Sequence, residues 1–369
     1  MKNVCKILPL VACAKWLTSC FSVVEPEIDP ITPSETEKAK SSSNSKEKVE
    51  SSSAAKQSSS RKTASSSSVA ALSSSTPAEE PVSSSSAPLS VNVNANVSDD
   101  PAAARLEIPH LDNSSFFAAH WVEFEGKKVM NLAIEWNSAI RHANWSAFSW
   151  DSLTSLNGTT RDEDWRWDPL VPAELGQVKE ADHKSDGFDK GHLVASADRH
   201  FSVEANNQTF YYTNISPQIS SFNQKFWAQL EAKLQKWGEL TQTGVYDTIY
   251  VVKGGNTQLP LIDFTGTKAA SDKVKPYTDS KGFSKGGMLV PSYYFAALLA
   301  LKDGKYSAIA FNVPHLETLP TKPTVADFQQ YVVTIDELEA ATGVDFFCNL
   351  PDDVEKSVEA NVDMAAWNW

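Results

Sequence analysis

Reading forward from Asp189, the chain presents Asp189-Lys190-Gly191-His192, then Asn214, Asn223 and Glu231. These types supply a cation, an imidazole, amides able to ligate a hard metal ion, and carboxylates. Together they suit the cutting of a phosphodiester. A neutral imidazole with a pKa near the working pH is the side chain best fitted to take a proton from water, which makes His192 the candidate general base. An alkoxide leaves poorly and the phosphate gains charge in the transition state, so a metal ion and fixed cations are needed at the non-bridging oxygens.

The surrounding residues predict elements that would hold these groups. Phe188 to Val194 and Phe210 to Ile215 read as two strands joined by the polar loop Ser202 to Gln208. From Ser221 to Trp237 the apolar residues Phe222, Phe226, Leu230, Leu234 and Trp237 recur at helical spacing. Side chains two apart on a strand share a face, so Lys190 and His192 would point toward one phosphate. On an α-helix Asn223 and Glu231 would stand about 12 Å apart along the axis and roughly 80° around it. That separation is too great for both to bind one ion directly, and because long helical side chains lean toward the N-terminus it allows Glu231 to reach a metal-bound water while Asn223 binds the ion. Mg²⁺ fits this arrangement because it retains most of its waters, and Mn²⁺ would substitute.

DKGHLVASADR at 189–199, TNISPQ at 213–218 and FNQKFWAQLE at 222–231 resemble the DNA/RNA non-specific endonucleases, often called Serratia-type, of the ββα-metal or His-Me finger fold. TTRDEDWRWDP at 159–169 resembles the family segment that carries a phosphate-binding arginine, here Arg161, with Arg166 as a nearby substitute. The segments 248–254, 290–301, 311–315 and 334–347 extend the resemblance from Leu106 to the C-terminus.

The resemblance implies an α/β (α+β) domain with a mixed or antiparallel sheet and a ββα-metal finger. It implies DNA and RNA as substrates, 5′-phosphate products and a single metal ion held by Asn223. Glu231 would order metal waters, Asn214 would support the site, and Asp189 would be a supporting group or a turn former. Two positions depart from the family pattern: Lys190 replaces an arginine and Ala195 a proline. Lysine keeps the charge but loses the guanidinium fork that matches a phosphate.

At the amino end, Lys2 and Lys6, the apolar run Ile7 to Ala14 and Leu17-Thr18-Ser19-Cys20 resemble a bacterial lipoprotein signal, interrupted by Lys15 and Trp16. The expected organisation is a signal peptide over 1–19, a lipidated Cys20, a serine-rich disordered tether over 20–105 and the nuclease domain over 106–369. Such a protein would sit on the cell envelope, most simply at the outer membrane. Cys20 and Cys348 alone would remain after processing, so no internal disulfide is expected. His183, His200 and His315 read as surface or structural histidines.

The formal charge of −13 disfavours a polyanionic substrate, yet the acidic residues crowd the stretch after Glu317, while Arg161, Lys184, Lys190, Arg199 and Lys225 gather around the motif. Two alternatives remain at this level. One is a nuclease fold weakened into a nucleic-acid-binding surface lipoprotein; the other is a tethered adhesin or carbohydrate binder.

Overall fold

The computed structural model describes residues 91–266 and 276–369. The signal segment, Cys20 and most of the serine-rich stretch lie outside the described residues. A hairpin of β1 (Phe116–Phe124) and β2 (Lys127–Asn137) continues into β3 (His142–Trp150). A second, two-stranded sheet pairs β4 (Asp189–His192) with β5 (Ile215–Gln218). The main sheet resumes with β6 (Thr248–Gly255), β7 (Tyr293–Lys302), β8 (Lys305–Pro314) and the short β9 (Val332–Val333). Its seven strands run β1-β2-β3-β6-β7-β8-β9, antiparallel throughout.

Alternation along a strand sends successive side chains to opposite faces, and here both faces are covered. Leu132, Ile134, Phe148, Val251 and Leu298 point to one face, where they pack with Phe222, Phe226, Leu230, Leu234 and Trp237 of the helical segment after β5. Ala133, Trp145, Val252, Phe295 and Leu299 point to the other, beneath Ile335, Leu338, Phe346 and Leu350. Because neither face meets water, β7 is buried continuously from Tyr294 to Ala300.

The helices are α1 (Val203–Gln208), α2 (Ala228–Glu239), α3 (Val325–Gln329), α4 (Ile335–Thr342) and α5 (Asp352–Glu359). In α2 the residues Leu230, Leu234 and Trp237 face the sheet. Truncating either leucine to alanine would cost ~2–5 kcal/mol. α4 begins at a capping box in which Thr334 accepts from the Glu337 amide, and it ends at Gly343 in the left-handed conformation.

The local structure between β4 and β5 differs from expectation. Ser202 to Gln208 holds a helix, α1, because Ser202 caps it by accepting from the Ala205 amide. Phe210 to Ile215 is not a strand: Tyr212–Asn214 is a 3₁₀ turn and β5 starts at Ile215. Phe210, Tyr211 and Tyr212 are aromatic because they pack into the core, not because they pair in a ladder.

The amino-terminal boundary also moves. Asn92 Nδ2 donates to the carbonyls of Cys348 and Leu350, Asn96 Nδ2 donates to those of Ala103 and Pro109, and Ala102 and Ala103 are fully buried. Residues 91–105, placed in the tether on composition, are therefore part of the packed domain; they are held by asparagine side chains and alanines that carry little hydropathy signal.

Candidate active site

Antiparallel pairing sets Asp189 opposite Gln218, Lys190 opposite Pro217, Gly191 opposite Ser216 and His192 opposite Ile215. Gly191 is required there because a Cβ would lie 2.2 Å from the Gln218 side chain. Lys190 and His192 emerge on one face and meet the same aromatic wall. Lys190 Nζ sits 3.6 Å from the centre of the Trp165 ring, and the His192 ring lies 5.4 Å from Trp165 and 4.9 Å from Phe210. Phe210 also carries the Arg161 guanidinium at 4.8 Å.

Burial first, and Arg161 second, drive the His192 imidazolium down to a pKa of about 3, with Glu163 pulling the other way. The ring is therefore neutral in the physiological range, although burial and the neighbouring cations make it a weaker base than a free imidazole. Its Nε2 has no hydrogen-bond partner and is screened from bulk water. An orphaned polar atom of this kind costs ~1–3 kcal/mol, a cost in keeping with an atom reserved for the reactants.

The helical segment begins with a π turn, Phe222–Trp227, before α2. A π turn closes its hydrogen bonds over one more residue than an α turn. Removing one residue's rotation, about 100°, from the expected offset of roughly 80° leaves Asn223 and Glu231 within about 20° of one face. Both accordingly line one cleft of about 330 Å³ together with Arg161, Lys190, His192, Ser196, His200 and Gln235.

Asn223 Nδ2 donates to Asp189 Oδ2 at 3.1 Å, and Gln224 Nε2 donates to the same oxygen at 2.7 Å. Asp189 thus holds the Asn223 amide by its nitrogen and leaves the oxygen, a hard donor, for a cation. Glu231, half-buried, lies beside Lys253, whose Nζ is 3.2 Å from Glu231 Oε1 and 2.5 Å from Asp198 Oδ2. Burial pushes the Glu231 carboxyl up to about 7, Lys253 opposes it, and Asp198 adds to it. Burial pulls Lys253 down, but Asp198 and then Glu231 outweigh it, so the ammonium is stabilised. An oxygen set comprising the Asn223 amide and the nearby Glu231 carboxylate fits a metal such as Mg²⁺, which takes one or two protein ligands and keeps its waters.

Other residues position this group without entering it. Asn214 is fully buried and spends its amide on backbone: Oδ1 accepts from the Val194 amide, and Nδ2 donates to the carbonyls of Val194 and Thr209. It braces the chain leaving β4 and does not line the cleft. Ser216 Oγ lies 2.6 Å from both His142 Nε2 and Tyr294 Oη, and Tyr294 Oη donates to the Pro217 carbonyl, which fastens β5 to the main sheet. His315 Nε2 accepts from the Ile219 amide at 2.6 Å. His315 and His183 are buried, whereas His200 lines the cleft.

Four of the expected cations are placed elsewhere: Lys184, which pairs with Glu180, and Lys225 do not line the cleft, nor do Arg199 and Arg166. Arg199 is fully buried, donating to Asn131 Oδ1 and the Ser149 carbonyl between Phe148 and Phe201, so it offers no charge to a substrate. Arg166 pairs with Asp164 and Tyr211 and is not among the cleft residues. Arg161 reaches the cleft while paired with Glu163 at 2.9 Å. Lys253, Asp198 and the Trp165 wall have no spacing signal: Lys253 stands in an apolar strand run, and only the folding of β6 against α2 brings it to Glu231.

A family model for DNA/RNA non-specific endonucleases matches residues 122–353. The chain is 30% identical over 233 residues to a nuclease of Nostoc sp., covering 63% of this chain and 76% of that protein. It is 32% identical over 225 residues to Nuclease C1 of Cunninghamella echinulata var. echinulata, covering 60% and 81%. With a nuclease of Serratia marcescens the identity is 29% over 232 residues, covering 61% and 75%. The matched span contains Arg161, Lys190, His192, Asn223 and Glu231 along with the sheet that carries them, and the chain belongs to the DNA/RNA non-specific endonuclease family.

Proposed function

We propose that this domain hydrolyses phosphodiester bonds of both DNA and RNA, using Mg²⁺ or Mn²⁺ and leaving 5′-phosphate and 3′-hydroxyl ends. The observation that carries the reading is the convergence of Arg161, Lys190, His192, Asn223 and Glu231 on one cleft. His192, neutral and with a free Nε2, takes the proton of the attacking water. Lys190 and Arg161 hold the non-bridging oxygens as their charge grows. Asn223 would hold the metal by its amide oxygen, with Asp189 fixing that amide, and Glu231 would face the metal's waters with Lys253 limiting the cost of its charge. The bound ion would stabilise charge on the phosphate and the departing oxygen.

We propose further that Cys20 carries a lipid that anchors the enzyme to the cell envelope, with the serine-rich stretch as tether. Radiolabelled palmitate should enter the wild type and not Cys20→Ser, while specific activity is unchanged; label in Cys20→Ser would refute the anchor.

The decisive assay is cleavage of supercoiled plasmid and of RNA by the full chain with Mg²⁺, Mn²⁺ or chelator. Both substrates should be cut with either metal, and neither in chelator. Unchanged cutting in chelator would sink the metal role, and binding without cutting would favour the weakened-nuclease alternative.

A further inference from the structure

On the face of the sheet opposite the cleft, α4 and α5 bring together carboxylates that have no cationic partner among the described residues. Asp336 and Glu339 lie one turn apart on α4, and their oxygens come within 4.8 Å of that of Glu359 at the end of α5. Glu355, one turn earlier on α5, and Asp345 in the intervening loop join through Asn94, whose Nδ2 donates to Glu355 Oε1 at 2.8 Å and to Asp345 Oδ2 at 3.3 Å. The charged groups acting on Glu359 are Glu339, Glu355, Asp345 and Asp336, all acids. His110 acts on Asp345 from the amino-terminal segment.

An acidic cluster alone is commonplace. Here a second observation points to a ligand. Glu359 is only 6% exposed, yet its Oε1 has no hydrogen-bond partner among the described residues. Glu359 also stands in the last turn of its helix, where the backbone dipole disfavours negative charge. A buried carboxylate with an open oxygen, like charges around it and an adverse dipole is costly unless a cation is present.

We propose that Asp336, Glu339 and Glu359 bind a Ca²⁺ ion that clamps α4 to α5. Carboxylate oxygens from two separate helices suit Ca²⁺, which accepts six to eight oxygens, water included, in variable geometry, better than Mg²⁺, which demands a strict octahedron. The clamp is structural and independent of the cleft. Its charge would offset the acids that otherwise repel one another where the chain enters the domain.

The test is calorimetric titration of Ca²⁺ into chelator-treated full-length Asn223→Ala protein, in which the cleft ion is removed. One Ca²⁺ should bind per chain. Protons should be released on binding, seen as heats that change with the buffer's ionisation enthalpy, because raised carboxyl pKa values must give way to the ion. The unfolding midpoint should rise by about 5 °C at a hundredfold excess of Ca²⁺ over Kd. Mg²⁺ at equal concentration should bind at least tenfold more weakly. Asp336→Asn, an exposed change that does not threaten folding, should weaken Ca²⁺ at least tenfold, and made in the otherwise wild-type chain it should leave Mg²⁺-dependent cleavage unchanged. Absence of binding and of a midpoint shift in Asn223→Ala would overturn the proposal, as would undiminished binding in both Asp336→Asn and Glu359→Gln. Either result would show that protons, not an ion, neutralise the cluster.

Discussion

Glu231 in the cleft and Glu359 beneath α4 are both raised first by burial, yet they end in different places: about 7 for Glu231 and about 9 for Glu359. The difference lies in the company each keeps. Lys253 stands 3.2 Å from Glu231 and pulls it back, whereas the neighbours of Glu359 are further carboxyls. A chain of net charge −13 can therefore act on a polyanion because its charges are segregated through the thickness of the sheet. Lys190, Arg161 and the Lys253 triad lie on one face, and the uncompensated acids lie on the other. Desolvation is common to both regions, and local compensation decides how far each carboxyl is pushed up in the absence of an ion.

The largest expected effect comes from deleting the group on which the cleft's chemistry rests. His192→Ala should lower cleavage of DNA and RNA by about 10²–10⁴-fold, the usual scale for a general base. Circular dichroism and metal binding should be unchanged, since His192 Nε2 supports no hydrogen bond in the fold. Activity within tenfold of wild type would remove His192 from the mechanism.

Lys253→Met would make the cleft resemble the acidic face by leaving buried Asp198 and half-buried Glu231 without their ammonium. Breaking a buried pair from one side costs ~3–5 kcal/mol. The loss should appear as a lowered denaturant midpoint, with reduced activity because Glu231 would then bind its proton more tightly. A stability change under about 1 kcal/mol, the scale of an exposed pair, would show that the triad is solvated.

Lys190→Ala should cost about 10²-fold, chiefly in kcat, as the loss of one transition-state donor. Lys190→Arg should preserve or raise the rate, because a guanidinium offers two hydrogen bonds to a phosphate and still stacks on Trp165. A rise in KM alone for the alanine variant would reduce Lys190 to a general attractive charge.

What was legible in the sequence follows from the range of the forces involved. The DKGH strand and the helical stripe from Phe222 to Trp237 are local patterns, and they stand close to where periodicity places them. The helix at 203–208 was hidden among polar residues because its stability comes from the Ser202 cap and from buried Ala205, Asn206 and Gln208. The π turn has no periodic signature of its own, and without it Asn223 and Glu231 appear to diverge. Arg199 carried the wrong sense for the same reason as Lys253: a basic residue reads as surface charge until the fold supplies Asn131 or Asp198 as its partner. Asn92, Asn94 and Asn96 lay in a stretch read as tether, since hydrogen bonds to a chain segment some 250 residues away leave no mark on composition.

The smallest expected effect reads the comparison through pH. Glu359 at about 9 and Glu339 at about 7 bind protons more tightly in the folded chain than in the unfolded one. Their favourable contribution is fully present below the unfolded carboxyl pKa and is lost as pH rises through the folded values. In chelator, their contribution should therefore decline as pH rises above the unfolded value of 4.5, until about pH 7 for Glu339 and about pH 9 for Glu359, so that above pH 7 the decline is that of Glu359, at most ~1.4 kcal/mol per pH unit. On the opposite flank the neutral His142, His183 and His315, lowered by burial to about 4, 4 and 3, must charge on unfolding. Their contribution is present above the unfolded histidine pKa and is lost as pH falls through the folded values. Thermal midpoints of the full chain should thus peak between the two flanks. Glu359→Gln should flatten the alkaline side alone, because it removes the ionisation and leaves the histidines untouched. An alkaline slope unchanged by Glu359→Gln would mean that the acids under α4 are already ionised in the fold, and the contrast with Glu231 would then have no energetic basis.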